Sequence, residues 1–327
     1  MREEEMKYKG VLRILLIPLM VYVILSNLLC KANAQSDISI GLSPTSQVLE
    51  LQPGDKYNGE VVTWNLANET TNYKILVRGF RQIENKPGTA IMLSEEEELQ
   101  SLYSASSWIA VNRESVELVP NKNEKILYEI NVPTNITKGE YHAIISLVSE
   151  NSQNSDSTAA LTTLSSGVPI LIKVGKDFIE NAELLEFKTT ETYYEKPTVE
   201  FITKINNIGD THIAPMGEIV LQNMFNKEIG RIKFNEDSQS LLRDNIGDYT
   251  TLWKEKLITK DRHLAVGPIK ANLVLTYREF QPGFAPLLAE TTFWIIPWKY
   301  ILIFILAIIL IVALVKVRKY KKKIKSS

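Results

Sequence analysis

The segment NNIGDTHIAPMGEI, residues 206–219, holds the residue types most typical of a chemical site in this sequence. Asn207, Asp210 and His212 lie close together, between two runs that are typical of β-strands. A histidine beside a carboxylate is the arrangement of a general base, and both side chains are also metal ligands. The same residues suit a tight turn, because asparagine, glycine and aspartate favour turn conformations.

The turn interpretation accounts for more of this segment than catalysis or metal binding does. Residues 210 and 212 of one extended strand point to the same side, but Gly209-Asp210 is itself a turn signal. A zinc site would need further ligands, and the remaining histidines are His142 and His263. Neither lies at a short metal-ligand spacing from His212. We therefore predict a structural turn. In the alternative interpretation, Asn207, Asp210 and His212 form a loop that contacts a ligand.

Catalytic motifs are missing elsewhere in the sequence. It has no G-x-S-x-G elbow, no P-loop, no H-E-x-x-H and no dinucleotide fingerprint. We predict no catalytic residue, no cofactor and no metal site, and hence a protein that is not an enzyme.

The C-terminus is typical of a membrane anchor. Residues 298–317 are apolar apart from lysines near the ends, and at about 1.5 Å per residue they cover the ~30 Å hydrocarbon core. We predict a transmembrane helix over 297–317 and a basic cytoplasmic tail over 318–327, because positive charges stay inside. Trp294, Trp298 and Tyr300 stand where interfacial aromatic residues belong.

The N-terminus is typical of a secretory signal over residues 1–34. Basic residues precede the apolar run ILLIPLMVYVIL, and Ala32 and Ala34 form an A-x-A site that predicts cleavage before Gln35. An uncleaved signal anchor is the alternative, and a lipoprotein signal at Cys30 is disfavoured by the bulky Leu29 before it. In each case the middle of the chain is expected outside the membrane, in a single-pass cell-membrane protein.

Charge and cysteine content limit the possible partners. Residues 35–298 hold 24 of the 37 Lys/Arg and 35 of the 38 Asp/Glu, a net charge of −11. An acidic surface argues against nucleic-acid binding. Cys30 is the single cysteine, so the mature protein would form no disulfide, which favours a bacterial surface protein over a small animal extracellular domain.

Between the two ends, the sequence predicts an all-β region of two tandem β-sandwiches. Short alternating runs such as GEVVTWNL, KILYEINVP and EYHAIISLVSE favour antiparallel strands. One helix is predicted in SEEEELQSLYSASSWI, with Ser94 and Glu97 at capping-box spacing and Leu99, Leu102 and Tyr103 on one face. We place the two domains at 35–175 and 176–296.

A second segment of interest is YREFQPGFAPLLAETTFW in the second domain. Phe280 and Phe284 flank a Gln-Pro-Gly turn close to the membrane anchor in sequence. They are predicted either to contact the membrane or to pack on their own sheet.

The first domain resembles the bacterial WxL-interacting surface-protein family. The shared elements are the turn Pro53-Gly54, the pair Trp108-Ile109 and the segment from Val132 to Tyr141. The resemblance implies two immunoglobulin-like domains, a C-terminal span, and a scaffold that engages peptidoglycan or a partner protein. The same segment also occurs in pilus-chaperone-like immunoglobulin folds.

The expected function is therefore that of a membrane-anchored cell-surface scaffold, binding cell-wall glycan or a partner protein through loops and strand edges. The alternative is an envelope chaperone or secretion accessory that binds client strands, which requires an exposed, unpaired edge strand.

Overall fold

The computed structural model describes residues 40–149, 165–258, 264–277 and 286–325. Within these residues the chain forms two β-sandwiches in sequence order, followed by a C-terminal helix. The predictions of an all-β body and of an apolar C-terminal helix are confirmed. The predicted signal segment, with Ala32 and Ala34, lies outside the described residues.

In the part of the chain that the structure describes, the first sandwich has eleven strands and two short helical turns. They are β1 (Ile40–Ser43), β2 (Gln47–Leu51), β3 (Lys56–Asn65), β4 (Thr71–Arg78), β5 (Phe80–Ile83), β6 (Lys86–Met92), α1 (Glu95–Gln100), a 3-10 turn (Ser106–Trp108), β7 (Ile109–Val111), β8 (Ser115–Leu118), β9 (Asn123–Asn131), β10 (Gly139–Ser149) and β11 (Ser165–Val174).

Its two sheets have the strand orders β1-β3-β9-β7 and β2-β11-β10-β4-β8, and β5-β6 forms a separate hairpin. Successive side chains of a strand point to opposite faces, so alternate residues of β10 share one environment. Tyr141, Ala143, Ile145 and Leu147 enter the core of the sandwich. Glu140 and its alternate neighbours therefore face away from that core.

The described residues of the second sandwich form eight strands. They are β12 (Ala182–Thr189), β13 (Tyr193–Tyr194), β14 (Thr198–Asn207), β15 (Met216–Gln222), β16 (Glu228–Phe234), β17 (Ile246–Lys254), β18 (Gly267–Thr276) and β19 (Leu287–Ile295). The sheet orders are β12-β14-β17 and β13-β19-β18-β15-β16.

Aromatic rings fill the centre of the second sandwich. Phe201 on β14 is fully buried, stacks on Phe187 at 5.7 Å and meets the edge of Phe293 at 5.8 Å between ring centroids. Phe293 also contacts Trp253 of β17 at 6.3 Å. These rings come from both sheets, so they hold the two layers together.

The α1 helix begins as predicted but ends sooner. The capping box of Ser94 and Glu97 is present, and the carboxylate of Glu98 accepts hydrogen bonds from the amide of Gly79 and from two serine hydroxyls that follow the helix. These bonds accompany an extended Ser101 and a chain that turns away after Gln100. The predicted apolar face is therefore wrong: Leu99 and Leu102 are 90% and 79% exposed.

The C-terminal helix, α2, covers Trp298–Lys325. The segment Trp298–Lys316 has 19 residues and a mean hydropathy of 2.8, so by length and composition it is able to cross a membrane. The helix continues through most of the segment that was predicted to be a separate basic tail.

Substituting Phe201 tests the aromatic centre of the second sandwich. We expect Phe201→Ala to lower the free energy of unfolding by about 3–5 kcal/mol, because it removes a buried ring and leaves a cavity. Leu252→Ala is the matched control. Leu252 lies on β17, is exposed, and pairs with Glu200, the residue before Phe201 on β14. The measurement is denaturant unfolding in detergent; equal small changes in both variants would contradict the assignment.

Candidate functional site

The loop that follows β14 is organised by the amide of Asn207. Its Nδ2 donates to the carbonyl oxygens of Thr211 at 2.8 Å and Leu241 at 3.0 Å, and its Oδ1 accepts from the amide of Gly209 at 3.0 Å. A Cβ on Gly209 would lie 2.5 Å from the carbonyl oxygen of Ile179, so the close approach requires glycine. Asn207 thus has a structural role in closing a tight turn.

Asp210, in this turn, binds the first sandwich. Its carboxylate accepts from Lys138 Nζ at 2.9 Å and from the amide of Ile179 at 3.2 Å, and its carbonyl accepts from the amide of Glu140 at 3.1 Å. Burial works against the charge of Asp210, but the contacts with Lys138 and the Ile179 amide outweigh it and lower the pKa.

Glu140, the second residue of β10, is the central group of this contact. Its side chain is fully buried between the two sandwiches. Oε1 accepts from His142 Nε2 and from the amide of His212, both at 3.1 Å, and Oε2 accepts from His212 Nδ1 at 2.5 Å. We call Glu140, His142 and His212 the carboxylate–histidine cluster.

The carboxylate of this cluster is ionised. Burial alone would raise the pKa of Glu140, but the hydrogen bonds and charges of His142 and His212 lower it to about 2. A carboxylate without a proton only accepts, so each ring must carry hydrogen on the facing nitrogen. The facing nitrogens are Nε2 of His142 and Nδ1 of His212.

The surroundings of the cluster close it from both sides. The ring of Phe80 lies 5.2 Å from that of His142, and Phe80 packs with Leu171 and Leu242 across the two sandwiches. Nearby, the Arg243 guanidinium lies over the ring of Tyr103 at 4.4 Å. With three donors already on Glu140, the geometry suits a joint between sandwiches better than a site that receives a substrate.

The β5-β6 hairpin forms a second part of the same joint. Gln82 Nε2 donates to the carbonyl of Ile246 at 3.0 Å, and its Oε1 accepts from the amide of Leu242 at 3.3 Å. The amide of Asp248 donates to the carbonyl of Asn85 at 2.9 Å. The hairpin of the first sandwich therefore covers part of β17, an edge strand of the second.

The sequence indicated the turn but not its partner. The structure brings Asp210 and His212 to Glu140, which is 70 residues or more away along the chain, while Asn207 stays within the turn. Glu140 and His142 were not singled out as a pair. The sequence held one signal for this pair. Glu140 and His142 alternate with the apolar residues Tyr141 and Ala143, which places the two polar side chains together on the opposite face of β10.

The other predicted contact residues fall in different places. Trp294 lies on β19, and Trp298 and Tyr300 lie at the start of α2. Phe280 and Phe284 lie outside the described residues. Among the described residues, no cluster of three or more His, Cys, Asp or Glu is arranged to hold a metal ion.

Several solved structures that contain chaperones are similar to this chain. They include the class 5 fimbriae chaperone CfaA (12% identity, 77% of this chain and 98% of that chain, TM-score 0.37), the Salmonella enterica SafA pilin in complex with the SafB chaperone (10%, 77% and 96%, 0.35) and the Pseudomonas aeruginosa CupB2 chaperone (8%, 76% and 98%, 0.34). Identities and TM-scores this low assign neither a family nor a function. No protein-family model and no curated protein matches the sequence.

The pH dependence of stability tests the carboxylate–histidine cluster. Because the pKa of Glu140 is about 2 in the folded protein and near 4.5 when unfolded, its ionisation stabilises the fold above about pH 4.5. This contribution, about 3 kcal/mol, is lost as the pH falls from 4.5 towards 2. Glu140→Gln should therefore lower the free energy of unfolding at neutral pH and show a flatter acid dependence.

The control for this variant is Glu50→Gln, because Glu50 is an exposed glutamate on β2. Its unfolding curve should follow that of the unmodified protein from neutral to acid pH. Parallel acid profiles for Glu140→Gln and the unmodified protein would contradict the assigned role of Glu140.

Proposed function

We propose that this chain is a single-pass membrane protein whose first sandwich binds a partner polypeptide at an open strand edge. Support for the anchor comes from α2, which is long and apolar enough to span, and from the basic residues that follow Lys316. By the positive-inside rule the C-terminus is cytoplasmic and both sandwiches lie outside. Their net negative charge suits a body held away from an anionic surface.

The observation that carries the binding proposal is the free edge of β2. This strand pairs in parallel with β11 on one side, and no described strand pairs with its other side. The carbonyl of Leu51 accepts from the amide of Gly175, the residue after β11, at 3.0 Å, so residue 51 directs its backbone groups to the β11 side. By alternation, the backbone N–H and C=O of Val48 and Glu50 point to the open side.

The longer described edges of the second sandwich carry features that oppose strand addition. β12 has a register irregularity between Leu184 and Glu186, and β16 pairs with β15 through another near Gln222. Arg231 of β16 binds two glutamates, and β17 is partly covered by the β5-β6 hairpin. Bulges, charges and covering elements are the usual means of protecting an edge. Strand β2 pairs with β11 without a register irregularity, and Glu50 is the single charged residue among its five.

An exposed backbone edge favours a polypeptide over a glycan as the ligand. An added strand gains backbone hydrogen bonds, and side-chain pockets give it specificity. The binding mode therefore fits an envelope chaperone or secretion accessory that holds client strands better than it fits a wall-binding scaffold. A scaffold that holds one partner protein would use the same edge, and the identity of the bound polypeptide separates the two.

Photo-crosslinking from β2 tests this proposal. With a photoreactive phenylalanine at position 48 in the full-length protein, we expect a discrete protein adduct in native membranes. Position 185 on β12 is the matched control: Val48 and Leu185 are 48% and 43% exposed, and both lie on edge strands. Val48→Lys should reduce binding of the identified partner at least tenfold, whereas Leu185→Lys should leave it unchanged.

Two results would contradict the proposal. One is an identical adduct pattern from positions 48 and 185, which would show that β2 has no special partner. The other is retention on purified peptidoglycan that Val48→Lys leaves intact, together with no protein adduct at position 48; this would favour the wall-binding scaffold.

A further inference from the structure

The junction between the second sandwich and α2 is short and fixed. Strand β19 ends at Ile295 and α2 begins at Trp298, so two residues connect them. The amide of Ile296 donates to the carbonyl of Tyr194 at 2.8 Å, and Lys299 binds the carboxylate of Glu195 at 2.8 Å. The start of α2 is therefore held against one end of the sandwich.

Strand pairing shows which other segments share this end. Gly267, the first residue of β18, pairs with Ile295, and Gln222, the last residue of β15, pairs with Lys270. The turn after β15 is linked to the segment before β18, because Asn223 Nδ2 donates to the carbonyl of Leu264 at 3.1 Å. That turn and Leu264 thus lie beside the start of α2.

This end of the sandwich carries exposed apolar side chains. Phe225 is 66% exposed, Ile258 60%, and Met224 and Leu264 50% each. We call these four residues the apolar rim. Met224 lies over Gly267, where an added Cβ would come 2.2 Å from its terminal methyl carbon. Asn223 accepts from the amides of Phe225 and Lys227, which fixes the turn that presents Met224 and Phe225.

The length of α2 sets the height of the rim above a membrane. The 19 apolar-segment residues Trp298–Lys316 extend about 28 Å, which is close to the ~30 Å hydrocarbon thickness. The whole segment is needed to cross, so Trp298 lies at the membrane boundary. With α2 as the proposed anchor, the two-residue junction would hold this end of the sandwich, and the rim with it, near the lipid headgroups. Lys227 and Lys256 are exposed and adjoin the rim in sequence, each next to a glutamate.

We propose that the apolar rim inserts into the headgroup region of the same membrane that α2 crosses. This inference rests on the proposed anchor. Exposed apolar residues near lysines are typical of surfaces that bind the membrane interface, and the two-residue junction keeps this end of the sandwich close to the segment that would cross the bilayer. The second sandwich would then stand directly on the membrane and hold the first sandwich at a set distance.

Fluorescent labels in reconstituted full-length protein test this proposal. Cys30 is the single native cysteine and is replaced by serine, and an environment-sensitive dye is attached at Met224→Cys or Met216→Cys. Met224 is 50% exposed in the turn after β15, and Met216 is 51% exposed at the other end of this strand. The seven-residue strand extends about 20 Å at ~3.3 Å per residue. Ile309→Cys, in the middle of α2, reports on the anchor.

In nanodiscs of phosphatidylcholine and phosphatidylglycerol, the dye at 224 should shift to the blue and be quenched severalfold by lipids that carry a nitroxide at the headgroup. The dye at 216 should behave as in water. The dye at 309 should be quenched by a nitroxide deep in the acyl chain.

The outcomes separate the rim from the anchor. Deep quenching at 309 with equal, water-like emission at 224 and 216 would overturn the rim proposal and leave the anchor intact. A blue shift at 224 without lipid quenching would also overturn it, because protein would then cover the rim. A dye at 309 that no lipid quenches would overturn the anchor and the rim proposal together.

Discussion

The arrangement of the two sandwiches depends on one buried carboxylate. Removing an ionised carboxyl group from water costs several kcal/mol, and hydrogen-bond donors must replace the lost hydration. Glu140 obtains donors from both sandwiches: His142 from its own strand, and the ring and amide of His212 from the other sandwich. Separating the sandwiches would leave the charge without the His212 donors, so the cluster favours a fixed joint over a flexible one.

This joint belongs to a continuous series of short, bonded connections. Two residues join α2 to β19, the turn after β14 binds β10 through Glu140, and β10 is paired along its length with β11. Strand β11 in turn pairs with β2, the strand with the open edge. A rigid series of this kind would place a binding edge at a defined height, which a membrane-anchored protein that receives or presents a polypeptide requires.

The sequence predicted local features well because their causes are local. Alternating apolar residues gave the strands, Ser94 and Glu97 gave the start of α1, and an apolar run gave α2. The length of α1 could not be predicted from its sequence. The carboxylate of Glu98 binds the hydroxyls of two serines that follow the helix, and sequence spacing does not reveal such a contact.

The Glu140–His212 contact joins residues far apart along the chain, so no spacing rule reveals it. The turn that holds His212 has the residue types of a chemical site. The same residue types, histidine, aspartate and asparagine, also form buried polar contacts between domains.

The measurement that tests the account most directly is residue-resolved hydrogen exchange of β2 in purified protein and in native membranes. The account predicts that the outward amides of Val48 and Glu50 exchange fast in the purified protein and slowly in native membranes, where the partner strand covers them. The inward amide of Leu49, paired with β11, is the internal reference and should be protected in both. Fast exchange of Val48 and Glu50 in both samples would contradict strand addition at this edge.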